Sequence, residues 1–159
     1  MSDFSFEIIE KLITNHLTVA TAESCTGGMI ASRIVDYPGA SACFNEGYIT
    51  YSNEAKIKNL NVNINTLDSF GAVSEQTARE MAIGVKNIAQ ADIGLASTGI
   101  AGPTGGTVDK PVGLVYIACA YNDIVEVKKL NLSGNRLQIR QSATDELFRL
   151  LKYCMEQDW

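Results

Sequence analysis

The sequence predicts an α/β fold in which a mixed β-sheet carries helices on both faces. Three observations predict it. Short apolar runs that suit strands alternate with amphipathic helical stretches, in the order α-β-α-β-α-α-β-β-β-α. Two of the late strands are joined only by a tight turn around Asn122-Asp123, which makes them antiparallel and the sheet mixed. The chain has 159 residues, 46% hydrophobic and 19% charged, which suits one soluble domain with a core of its own, spanning 1–159.

Each element has a local reason. Phe4, Ile8, Ile9, Leu12 and Ile13 recur at helical spacing, so residues 4–15 read as an amphipathic helix, with His16 at its C-terminal end. Residues 17–23 read as a buried strand and 27–36 as a helix, and Pro38-Gly39 marks a turn. Phe44, Tyr48, Ile49 and Tyr51 place a strand over 43–51. Ser52 then caps a helix through Leu60. Residues 61–73 read as polar and irregular. Ser74 caps a helix whose apolar stripe is Ala78, Met81, Ala82, Val85, Ile88 and Ala89. Ile93 to Ala96 is a buried strand, 98–107 a Gly-rich loop, and 112–120 and 124–130 are the hairpin. Ser133 caps a last helix that runs to about Cys154.

Composition excludes several function classes. The formal net charge of −5 disfavours a nucleic-acid partner, since phosphate neutralisation needs clustered Lys and Arg. No apolar run approaches the ~20 residues of a membrane span, and the N-terminal residues lack a signal-peptide pattern, so the expected location is cytoplasmic with no membrane partner. Cys25, Cys43, Cys119 and Cys154 form no Cys-x-x-Cys pair, and His16 is the single histidine, so a metal site would need scattered ligands and none is expected.

Four segments could carry chemistry. The first is Thr21 to Gly28, where Ser24 sits between a strand and a helix. Gly27 and Gly28 allow close backbone approach, and the helix start offers unpaired N–H groups to developing negative charge. The placement suits a nucleophilic serine; it equally suits Ser24 or Thr26 as a helix cap. The second is Tyr51 to Lys56. With Ser52 as N-cap, Lys56 lies in the second turn, where the helix dipole and any burial disfavour its charged form. A neutral lysine can take a proton from serine; an exposed surface lysine has the same spacing. The third is the 98–107 loop, which is neither a Walker A motif nor a dinucleotide fingerprint but is rich in backbone N–H groups. The fourth is Ser133 to Arg140. Arg136 and Arg140, four apart near a helix N-terminus, are electrostatically misplaced unless an anion or a salt bridge relieves them.

Together these segments resemble the CinA C-terminal family, several members of which are nicotinamide-nucleotide amidases. The resemblance rests on Ala22 to Gly28, Tyr51 to Lys56, Gly71 to Glu75, Thr98 to Pro103 and Lys110 to Gly113, which run in order over most of the chain. It covers only the C-terminal domain of longer CinA proteins, which implies a stand-alone amidase form. Where the family usually has Gly-Asp-Arg, this chain has Gly134-Asn135-Arg136.

The resemblance implies a three-layer α/β/α sandwich with a mixed, mostly parallel sheet. It implies hydrolysis of the carboxamide of nicotinamide mononucleotide to nicotinic acid mononucleotide and ammonia, without cofactor or metal. The family's serine, lysine and tyrosine map to Ser24, Lys56 and Tyr51. The expected oxyanion donors are backbone N–H groups at Thr26, Gly27 and Gly28. The expected substrate contacts are Thr98, Gly99, Ile100, Ala101 and Gly102, with Arg136 or Arg140 on the phosphate. A homo-oligomer is expected, in which an arginine could come from a neighbouring subunit. The alternatives are an amidase for another small carboxamide and a non-catalytic nucleotide-binding module.

Overall fold

The computed structural model describes residues 3–157. Its elements run α1 (Asp3–Thr14), β1 (Val19–Glu23), α2 (Met29–Val35), β2 (Phe44–Ile49), α3 (Asn53–Leu60), α4 (Ile64–Phe70), α5 (Glu75–Ile88), β3 (Ile93–Gly99), β4 (Leu114–Tyr121), β5 (Ile124–Asn131) and α6 (Arg136–Met155). A short 3-10 turn, Ala40–Ala42, leads into β2.

The strands form one sheet in the order β2-β1-β3-β4-β5. β1 pairs parallel with β2 and with β3, and β4 pairs antiparallel with both β3 and β5. Only β4 is reversed, so the sheet is mixed and mostly parallel in strand direction. The hairpin closes where expected: Tyr121 faces Ile124 across Asn122-Asp123, with Asn122 at φ 53, the left-handed region that two-residue hairpin loops need.

Alternation along the strands divides the core in two. Val19, Ile93, Leu95, Val115, Ile117 and Cys119 point to one face, where they meet Ile8 and Leu12 of α1, Ile30 and Ile34 of α2, and Leu147, Phe148 and Leu151 of α6. Ala20, Ala22, Ala96, Ala118 and Ala120 point to the other, against Leu60, Leu67, Met81 and Val85 of α3, α4 and α5. Small side chains on this second face let α5 lie close. A Cβ added to Gly94 would stand 2.1 Å from the Ala82 carbonyl oxygen of α5, so only glycine fits there. Helices on both faces make the three layers expected.

Three local expectations need correcting. Residues 61–73 are not irregular throughout, because α4 lies within them. It is capped by Asn63, whose side chain accepts from the Asn65 amide, and it is anchored in the core by Leu67 alone. The N-cap of α6 is Asn135, not Ser133, with a reciprocal capping box to Gln138. And α2 starts at Met29 rather than at 27, because Gly27 and Gly28 have φ of 57 and 102, outside the helical region.

Candidate active site

β1 lies between β2 and β3, so the chain crosses from one side of β1 to the other after β2. In open α/β sheets the crevice at such a switch point, beyond the carboxyl ends of the strands, is where ligands bind. Ser24 directly follows β1, and Thr98 and Gly99 close β3. A cavity of about 270 Å³ opens there, near the lower end of the ~300–1,000 Å³ usual for small-molecule sites. It is lined by Ser24, Cys25, Tyr51, Lys56, the run Thr98 to Gly102, and Arg136, and also by Ala72, Val73, Thr104 and Gly105.

Lys56 comes to Ser24 from α3, whose N-cap Ser52 accepts from the Ala55 amide at 3.0 Å. The lysine is 1% exposed. Its Nζ lies 3.2 Å from Ser24 Oγ and donates to the Thr50 carbonyl at 2.8 Å. No carboxylate pairs with it among the described residues. Burial lowers its pKa below that of a free lysine, because desolvation penalises the ammonium. A neutral amine keeps N–H bonds for the Thr50 carbonyl and one lone pair for a proton from Ser24.

The turn that carries Ser24 is held by a buried carboxylate that sequence reasoning did not single out. Glu23 is fully buried and accepts from Thr26 Oγ1 at 2.6 Å and from the amides of Gly28, Ile30 and Ala31 at 3.0, 3.1 and 2.8 Å. Burying a carboxylate costs several kcal/mol, about what charge-assisted bonds of ~1.5–3 kcal/mol each can offset. Thr26 uses its one hydroxyl proton on Glu23, so Ser97, 2.6 Å away, is the donor to Thr26. Glu23 therefore does the capping of α2, and neither Ser24 nor Thr26 caps it. Its position, well before the first helical residue, is not one where a cap is looked for. The Gly28 amide serves Glu23 and the Gly27 amide serves the Ser24 carbonyl at 3.1 Å, so both have protein acceptors.

The two arginines part company. Arg136 Nη1 donates to the Gly102 carbonyl at 2.8 Å and Nη2 to the Tyr51 hydroxyl at 3.0 Å, at the cavity mouth. Arg140 does not line the cavity. Its Nε donates to the Cys25 carbonyl at 2.9 Å and its Nη2 to the Thr26 carbonyl at 2.8 Å. The asparagine that stands in the family's Gly-Asp-Arg position caps the helix carrying both.

The remaining members of the predicted set behave differently. Thr98 Oγ1 donates to the Ala72 carbonyl at 2.7 Å and so ties the segment before α5 to the end of β3. Tyr51 is engaged with Arg136, and no hydrogen bond joins it to Ser24 or Lys56. Cys25 lines the cavity, but burial pushes its thiol up to about 11, which leaves it protonated and a weak nucleophile at neutral pH. Among the described residues no cluster of three or more His, Cys, Asp and Glu could hold a metal, and no helix is long and apolar enough to cross a membrane. Of the lining residues beyond the predicted set, Ala72 and Val73 were legible only as a family motif, and Thr104 and Gly105 belong to the Gly-rich loop.

The chain matches the family model described as CinA C-terminal domain over residues 2–155. A protein of Acetivibrio thermocellus named "Putative competence-damage inducible protein" is 53% identical over 155 residues, covering 97% of this chain and 38% of the relative. A "CinA-like protein" of Kosmotoga olearia is 56% identical over 142 residues, covering 86% and 34%. This chain thus spans little more than a third of the curated relatives it matches. Among solved structures, competence/damage inducible protein CihA from Agrobacterium tumefaciens superposes with a TM-score of 0.92 at 38% identity, covering 98% of each chain. Competence damage-inducible protein A from Klebsiella pneumoniae gives 0.95 at 32% identity, covering 99% of this chain and 98% of that one.

Proposed function

We propose, from the premise that the chain belongs to the CinA C-terminal domain family, that it hydrolyses the carboxamide of nicotinamide mononucleotide to nicotinic acid mononucleotide and ammonia. One observation carries the reading: an uncompensated lysine amine, buried, 3.2 Å from the hydroxyl of a serine at a cavity wall. A structural lysine would find a carboxylate or solvent. A lysine whose ammonium form burial disfavours, placed beside a serine, is suited to act as its general base.

In this reading Ser24 Oγ attacks the amide carbonyl while Lys56 Nζ takes its proton. The tetrahedral intermediate collapses as Lys56 returns the proton to the departing nitrogen, and ammonia leaves an acyl-serine. Water, deprotonated by Lys56, then releases the acid. Tyr51 and Arg136, bonded to each other at the mouth, suit recognition more than proton transfer, and Arg136 is our choice for the substrate phosphate. Thr98 to Gly102 form the wall against which the nucleotide lies.

The test is to mix the protein with nicotinamide mononucleotide and measure ammonia and nicotinic acid mononucleotide together. The reading expects them one for one. Nucleotide binding without any ammonia would assign the cavity to a binding module instead, and release from free nicotinamide but not from the nucleotide would assign a different amidase.

A further inference from the structure

A trans peptide holds its C=O and N–H in opposite directions, so fixing one end aims the other. This makes the turn after β1 worth accounting for amide by amide. The Ser24 amide donates to the Ser97 carbonyl at 3.0 Å, the Gly27 amide to Ser24, and the Gly28 amide to Glu23. Among the described residues the amides of Cys25 and Thr26 have no backbone or side-chain acceptor outside their own residues. The Cys25 amide serves its own thiol, which leaves the Thr26 amide; a buried N–H is rarely left without an acceptor, and one beside a nucleophile has an evident use. The carbonyl end of each of these peptides is held. The Ser24 carbonyl accepts from Gly27, and the Cys25 carbonyl accepts from Arg140.

We propose that Arg140 is a positioning residue for the hydrolysis: by holding the Cys25 carbonyl, and the Thr26 carbonyl beside it, it fixes the turn so that the Thr26 amide, at the far end of the Cys25–Thr26 peptide, stays aimed beside Ser24 for the developing oxyanion. This rests on the amidase reading above. Three observations support it. A guanidinium reaches two carbonyls at once in a fixed fork, which an ammonium cannot do. No carboxylate pairs with Arg140 among the described residues, so its charge faces the turn alone. Gly27 is shaped to it, with a φ of 57 and only 3.2 Å between a Cβ added there and Arg140 Nη2. The arginine is itself seated on α6, close behind the Asn135 cap. A cation on a peptide carbonyl also polarises the peptide, which strengthens the N–H at its far end as a donor.

The test uses steady-state kinetics of Arg140→Ala, Arg140→Lys and Gly27→Ala on nicotinamide mononucleotide, after wild-type ammonia release has been established. Removing oxyanion stabilisation costs about 100- to 1,000-fold in kcat, and that loss is expected in both arginine variants with KM changed less than about threefold. Gly27→Ala is expected to lose kcat in the same sense, because its methyl group displaces the guanidinium. Added guanidinium is expected to restore at least about tenfold to Arg140→Ala by refilling the same place on the two carbonyls. A rise in KM with kcat kept would make Arg140 a substrate ligand and overturn the proposal. So would a loss of kcat that guanidinium leaves untouched, which assigns the residue to fold stability alone. A wild type that releases no ammonia refutes the amidase reading, and this role with it; a fully active Arg140→Ala refutes this role only.

Discussion

The two halves of the cavity are built in opposite ways. The inner half is Ser24, Lys56 and the Glu23–Thr26–Ser97 network, and it is buried, with Lys56 1% and Ser24 8% exposed. The outer half is Tyr51, Arg136, Thr104 and Gly105, all exposed, with Tyr51 at 64%; Val108, at the tip of the same loop, lies outside the lining and fully in solvent. The inner half is held by hydrogen bonds to strand ends and to a helix start, the outer half by a few bonds to backbone carbonyls, such as Arg136 on Gly102 and Lys110 on Phe70. Low dielectric is where a lysine can be neutral and an oxyanion is worth stabilising. Exposure is where a charged nucleotide can enter and leave. The difference separates turnover from recognition, and substitutions in the two halves should separate kcat from KM.

The largest effect belongs to the inner half. Ser24→Ala should lower kcat by about ten-thousandfold or more while the nucleotide still binds, as for removal of a nucleophile that acts as part of a unit. Isothermal titration beside ammonia release checks both; near-normal turnover would remove Ser24 from the mechanism.

Lys56 comes next. Lys56→Ala should cost about 100- to 10,000-fold in kcat, and Lys56→Arg should fail equally because a guanidinium stays protonated. In the wild type, kcat/KM should rise with pH as Lys56 loses its proton, with a midpoint below the 10.5 of an unperturbed lysine. Stability follows the same shift. The unfolded lysine holds its proton up to 10.5, while the folded one has lost it already at lower pH, so over that window the unfolded chain binds more protons and stability rises with pH. Below the folded pKa the contribution is a constant cost. Lys56→Met should therefore melt higher than wild type at neutral pH while inactive, and an unchanged or lower midpoint would contradict a costly buried amine.

Smaller effects belong to the outer half. Arg136→Ala should raise KM for the nucleotide by about ten- to a hundredfold, with kcat nearly kept, as expected from a charge-assisted contact equal in ground and transition states. The nucleoside lacking the phosphate should be insensitive to the same change; equal effects on both would send the phosphate elsewhere. Smallest of all, Val108→Ser at the loop tip should alter kcat/KM less than about twofold, as a surface change away from the cavity does. A larger change would bring the tip into substrate contact.

Much of this was legible in the residues. Ser52 and Ser74 announced α3 and α5 because both cap with their own hydroxyls. The Asn122-Asp123 turn announced the hairpin. α4 was not legible, because its seven residues are mostly polar and put only Leu67 into the core, which is too little for an apolar stripe. Ser133 reads as the α6 cap, but the structure gives the role to Asn135, whose spacing to Gln138 makes a reciprocal capping box. At the site, spacing could bring Ser24 and Lys56 to suspicion but not to 3.2 Å, since a lysine on a helix reads the same whether buried or exposed. Glu23 was invisible for a related reason: it reads as the end of a strand, and its work as a cap depends on the turn folding back over it. Arg136 and Arg140 are four apart in sequence, and only the third dimension assigns one to the mouth and the other to the backbone of the turn.

The central claim is that burial beside Ser24 disfavours the ammonium form of Lys56, so that it gives up its proton more readily than a free lysine. Protein labelled with 13C at the lysine ε-carbons, titrated by NMR with Lys56→Met to assign the resonance, measures this directly. The account predicts that the lysine signal absent in Lys56→Met titrates below 10.5. A Lys56 signal that stays in the ammonium position up to 10.5 or beyond would contradict the account and leave Ser24 without its base.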